Sequence, residues 1–231
     1  MNTEFDYYYN NVPDKGLCRN NLIYTSLINK SKTLFCQHYV NDTEYHKGQN
    51  QVVDPSLMEE KWMREVNHIT QMRNKFPDMI PNITQIDMYS KKLYMEVQGV
   101  DFWQQTLDNN CTYDNILPNW REQMLDIFRA HKSLGIYKYS LHPSSYFVVD
   151  GKLKSINYFF CYRDIDPMIS LRSVMSHISE DRQADLFPKM SAMGLDVDMP
   201  TPHKQIQMLA FESFKTNFPD DVMEEAKAIY A

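Results

Sequence analysis

Glycine is scarce in this chain, at 6 of 231 residues. Only glycine lets backbone N–H groups crowd around a phosphate free of side chains, so a function built on a glycine-rich phosphate loop starts at a disadvantage. Turns must instead be made largely by Asn, Asp and Pro. Cysteine is also scarce: Cys18, Cys36, Cys111 and Cys161 are scattered, with no CxxC pair. The usual spacing of a zinc site is therefore missing, and free thiols in a reducing compartment are expected. There is no apolar run of about 18 residues, and no opening apolar segment behind positive charges. Neither a membrane span nor a secretory leader is expected. Finally, there is no basic excess. Lys and Arg number 24 against 30 Asp and Glu, a net charge of −6, which argues against non-specific nucleic-acid binding.

What is present is a globular composition, 43% hydrophobic and 13% aromatic, enough for one substantial domain or one domain of two lobes. The wealth of Asn, Lys, Tyr and Met suggests an AT-rich genome such as that of a virus or phage. The expected location is cytoplasmic, meaning host cytoplasm or virion if the chain is viral. The N-x-S/T triplets at Asn41 and Asn82 read as accidents of an Asn-rich sequence.

Residues 1–19, with a cluster at Tyr7–Tyr9, read as a polar arm. "NLIYTSLINKSKTLFCQHYVND" gives two apolar or β-branched runs around "NKSK", a hairpin signal. From Asp54 a helix is predicted to about residue 76. Asp54 can cap it, Pro55 opens it, and Met58, Trp62, Val66, Ile69 and Met72 recur at helical spacing. Glu65 borders that apolar face; it is either solvated or paired inside. "MIPNITQIDMY" and "KKLYMEVQ" read as strands. "NWREQMLDIFRAHKSLG" reads as a helix ended by Gly135, and "YFVVDGKLKSINYFF" as a hairpin turning at "DG". Residues 164–231 read as helices broken by Pro188, Pro200 and Pro202. The predicted class is α+β.

The strings in this order resemble the protein-kinase fold over roughly residues 20–162. "REVNHITQM" is similar to the regulatory helix of that family. "QMLDIFRAHKSLGIYKYSLHPSSYFVVDGKLKSINYFFCY" is similar to its long helix, catalytic loop and metal-binding segment. The resemblance implies a bilobal fold: an arm at 1–19, a small strand-rich N-lobe at 20–100, and a C-lobe at 101–231 that is shortened or rebuilt after 162. It places Met95 at the gatekeeper position and Val97 where backbone faces adenine, with Glu65 and His142 also in the cleft.

Carried across one residue at a time, the family's chemistry is missing. No glycine lies between Gly16 and Gly48, so the lid over the phosphates is lost. The strand lysine falls on His38, shorter and mostly neutral at pH 7. The lysine's helix partner persists as Glu65. The H-R-D triplet becomes Lys138, Tyr139 and Ser140, and a serine is no substitute for a carboxylate base. The loop lysine becomes His142, the metal-binding asparagine becomes Ser145, and D-F-G becomes Asn157, Tyr158 and Phe159. A neutral amide oxygen is a weak ligand for Mg²⁺.

The expectation is therefore a pseudokinase: no catalytic residues, no metal site, no cofactor beyond weak nucleotide binding, and a function in protein–protein interaction or self-association. Nucleic acid and membrane are not expected partners. Two alternatives stay open. One is an atypical phosphotransferase using Asp164 and Asp166 as relocated acids, although these also read as loop acids capping a helix after Pro167. The other is a viral structural or accessory protein that uses the fold as architecture.

Overall fold

A computed structural model describes residues 5–10, 19–26, 32–39, 55–175, 180–213 and 216–231. The protein is mixed α+β. A five-stranded antiparallel sheet is built from β1 (Phe5–Asn10), β2 (Arg19–Ser26), β3 (Thr33–Tyr39), β4 (Asn82–Asp87) and β5 (Lys92–Val97), in the order β1-β2-β3-β5-β4. Between β3 and β4 runs helix α1 (Pro55–Lys75). The predicted strands and helix are all present, but the arm is not. Residues 5–10 pair along their length with β2, from Phe5 opposite Ser26 to Asn10 opposite Asn21. Phe5 and Tyr7–Tyr9 on β1, and Ile23, Tyr24 and Thr25 on β2, are residue types that favour strands. Asp54 lies outside the described residues.

The remaining helices are α2 (Phe102–Asp108), α3 (Tyr113–Ile116), α4 (Trp120–Ser133), α5 (Leu171–Met175), α6 (Glu180–Ala192), α7 (His203–Ser213) and α8 (Asp220–Tyr230). Short strands β6 (Tyr137–Lys138) and β9 (Cys161–Tyr162) pair with each other, as do β7 (Tyr146–Val149) with β8 (Lys152–Ser155), and β10 (Ile169–Ser170) with β11 (Pro200–Thr201). Gly135 ends α4 at φ +66; its N–H bonds Lys132 O and that of Ile136 bonds His131 O, the double closure of a Schellman motif. Asp150 and Gly151 both have positive φ, as the "DG" hairpin requires. Pro188 does not break a helix as expected; it sits inside α6, where flanking packing by Leu186 and Met190 offsets one lost backbone bond.

The first core cluster crosses residue 100, the expected lobe boundary. It joins Phe35, Trp62, Ile69 and Met95 to Phe147, Ile156, Phe159 and Cys161. A second cluster packs α2, α4 and α8 around Trp120, Phe128 and Phe218. A third lies under α5–α7. Among the described residues, no helix is long and apolar enough to cross a membrane.

Candidate functional site

Strand alternation sets the cleft wall. On β3, Phe35, Gln37 and Tyr39 face inward: the Phe35 ring meets Phe147 at 5.0 Å, tilted by 59°, Gln37 reaches Asn157, and Tyr39 reaches Glu65. His38 therefore lies on the opposite face, paired in register with Lys92. Burial, with the Lys92 charge beside it, pushes its pKa down to about 4. Of the inward partners open to Glu65, the structure supplies Tyr39 and not His38. Neighbouring strand residues point to opposite faces, and the inward-facing one of the pair is Gln37. The period-two pattern of "TLFCQHY" was the available signal.

Glu65 is fully buried. Helix α1 lies between the sheet and residues 158–162, so its buried stripe includes Lys61, Glu65 and His68 as well as the predicted apolar positions. Glu65 Oε2 accepts from Tyr39 Oη at 2.7 Å and from the Phe159 backbone N–H at 2.8 Å. One carboxylate oxygen thus ties β3, α1 and the turn after Asn157 together. The solvated alternative for Glu65 is excluded.

The remaining cleft positions form one chain of neutral hydrogen bonds. Gln37 Nε2 donates to Asn157 Oδ1 at 2.7 Å. Asn157 Nδ2 donates to Ser145 Oγ at 3.0 Å. Ser145 Oγ and Ser140 Oγ are 2.7 Å apart. Asn157 adopts the left-handed conformation, φ 64 and ψ 59, which Asn tolerates better than most residues. Its carbonyl is held by buried Lys138, whose Nζ donates to it at 2.8 Å and lies 4.6 Å from the Tyr158 ring centre. Sequence reasoning named Lys138 only as part of the altered triplet and missed this anchoring role.

Met95 and Val97 are buried on the inner face of β5, opposite Phe35 and Thr33 respectively. The space beside them holds Phe35 and Phe147, both buried. His142 is drawn away from the chain. Its Nδ1 accepts from Ser144 N–H at 3.1 Å, its Nε2 lies 2.6 Å from the Asn217 amide, and its ring meets Trp103 edge-on at 5.5 Å.

Asp164 accepts from Tyr137 Oη at 3.0 Å, and Asp166 accepts from the Arg163 N–H at 2.6 Å. They close a loop; the following helix is capped by Ser170 Oγ, which accepts from Ser173 N–H. That corrects their expected capping role. Among the described residues no group of three or more His, Cys, Asp or Glu could hold a metal ion. With β1 assigned to Phe5–Asn10, the first hairpin connection is 11–18, outside the described residues. It contains Gly16.

Fold and cleft together define a mixed α+β protein with a buried polar seam between sheet and loops. Compared with protein-family models and with curated proteins, the chain has no significant match.

Proposed function

We propose that this chain is a kinase-related scaffold without phosphoryl-transfer chemistry, working through contacts with other proteins. The observation that carries the reading is the neutral chain Gln37–Asn157–Ser145–Ser140. In the resemblance Asn157, Ser145 and Ser140 stand for two metal ligands and a base, and Gln37 is the inward-facing neighbour of His38, where the phosphate grip was expected. Here they bond to one another in sequence, with no carboxylate among them. A metal-bound triphosphate would have to break these bonds and replace them with contacts to neutral groups, which compensate poorly for its charge. The Phe35 and Phe147 rings, tilted at 59°, belong to the same buried core as Met95 and Val97, in keeping with a region that serves as core.

The test is transfer of labelled phosphate from ATP, with Mg²⁺ or Mn²⁺, to the chain itself or to a generic protein substrate. The expected result is no incorporation above a heat-denatured control. Incorporation abolished by Asp164→Asn or Asp166→Asn would replace this reading with that of a phosphotransferase using relocated acids.

A further inference from the structure

The net charge of the chain is concentrated in two segments. Residues 101–120 and 216–225 carry seven carboxylates and no Lys or Arg, whereas the rest of the chain holds 23 acidic against 24 basic side chains. The fold brings these segments together. Tyr113 Oη donates to Asn217 O at 2.9 Å, and Trp120 stacks on Phe218 at 5.4 Å with ring planes 17° apart.

Between them runs a groove. Its middle is a hollow of about 440 Å³ bounded by Trp103, Cys111, Trp120, Phe218 and Pro219. On one side it continues into about 740 Å³ beside Leu107, a side chain 54% exposed. On the other it passes Asn217 into about 570 Å³ edged by Glu212, Asp220 and Glu224. Some rim charge is neutralised, since Arg121 pairs with Asp221 and Lys227 with Glu212. Asp108, Asp114, Asp220 and Glu224 have no ion-pair partner among the described residues. Asn217, at φ 59, is held by the Tyr113 bond and by the His142 contact, so the cleft loop fixes the groove floor.

We propose that this groove docks a Lys- or Arg-bearing segment of a different protein, with one aromatic or aliphatic side chain seated between Trp103 and Phe218. An apolar slot whose rim carries more carboxylates than cations, with Arg121 near Asp114 and Lys227 near Glu224 as the opposing charges, favours an apolar anchor flanked by cations. It repels phosphate polymers and anionic lipid surfaces. A second copy of the chain is a poorer fit, because outside these segments acidic and basic residues nearly balance. The proposal rests on the scaffold reading and names its binding face.

The experiment uses short labelled peptides of equal length: one with Arg and a single Trp, one with Glu and the same Trp, and one with Arg and no apolar side chain. Fluorescence anisotropy should show binding of the first alone, weakening as salt rises. The double variant Asp220→Asn, Glu224→Gln should weaken it roughly tenfold, while Asp185→Asn on α6 leaves it unchanged. Melting curves confirm that both variants fold. Bound peptide should also slow alkylation of half-exposed Cys111, read by mass mapping; Cys36 and Cys161 are buried. Absence of binding, equal binding of the Glu peptide, or unprotected Cys111 overturns the proposal. Concentration-dependent dimerisation that protects Cys111 without peptide overturns it in favour of a second copy. Phosphate transfer, measured separately, bears only on the scaffold reading, so the two failures are distinguishable.

Discussion

At the scale of the residue, Gln37 and Glu65 do different work in one seam. Gln37 contributes a neutral amide to Asn157, so Gln37→Leu leaves the buried Asn157 oxygen without that donor and should cost about 1–3 kcal/mol. Glu65 accepts from Tyr39 and from the Phe159 backbone. Glu65→Ala strands both donors and should cost about 2–4 kcal/mol, whereas His38→Ala on the far face should cost under about 1 kcal/mol. Urea denaturation ranks the three; His38→Ala as damaging as Glu65→Ala would contradict the strand assignment. His131 supplies a pH test. It is fully buried, with Nε2 3.1 Å from Tyr158 Oη. Burial first, and then the nearby Lys138 charge, hold its pKa well below the ordinary value; burial lowers that of His68 too. The unfolded chain protonates these rings near pH 6.5 and the folded chain does not. Below that pH the unfolded state binds more protons, so stability present above about pH 7 is lost as pH falls. Each histidine kept neutral contributes about 1.4 kcal/mol per pH unit to that loss. Melting temperature should fall from pH 7 toward pH 5, and His131→Gln should flatten the fall.

At the scale of the element, helix ends and turns were the most legible features, because single residues decide them. Gly135 is one: its φ of +66 is strained for any side chain, although a Cβ there would meet nothing within 4 Å. Gly135→Ala should therefore cost about 1 kcal/mol through backbone strain alone, lowering the melting temperature by roughly 2–4 °C. A neutral result would mean that the α4 terminus relaxes. The apolar stripe of α1 was legible from its spacing, but not the burial of Lys61, Glu65 and His68. Local periodicity reports one contact face, and α1 has two, the sheet on one side and residues 158–162 on the other. Strand β1 was missed because its polar surroundings gave no alternation, and its pairing is fixed by a partner strand distant in sequence. The inward face of β3 was missed for a similar reason. The resemblance fixed no register for that strand, and one residue decides which face Gln37 and His38 occupy.

At the scale of the whole molecule, the seam predicts how the protein answers nucleotide. A ligand stabilises a fold only by its preference for the folded state. Between sheet and loops Mg-ATP would meet neutral amides and hydroxyls already bonded to one another, and Phe35 and Phe147 in the core that also holds Val97. If the dissociation constant is about 1 mM or weaker, about 1 mM ATP gives at most about 0.4 kcal/mol. For a chain of this size the melting temperature should move by roughly 1–2 °C at most. Ser140→Asp with Asn157→Asp should not restore transfer, since Gln37 still stands where a cationic grip is needed and the rings still lie in the core. Those two carboxylates would instead sit in a buried seam without a metal to neutralise them, so the double variant should melt lower than the parent unless Mg²⁺ is added. The measurement is a thermal melt of parent and double variant, each with ATP, with Mg²⁺, and with both. A shift of several degrees in the parent that requires metal and nucleotide together would show that the seam opens, and the scaffold reading would then give way to a nucleotide-responsive one.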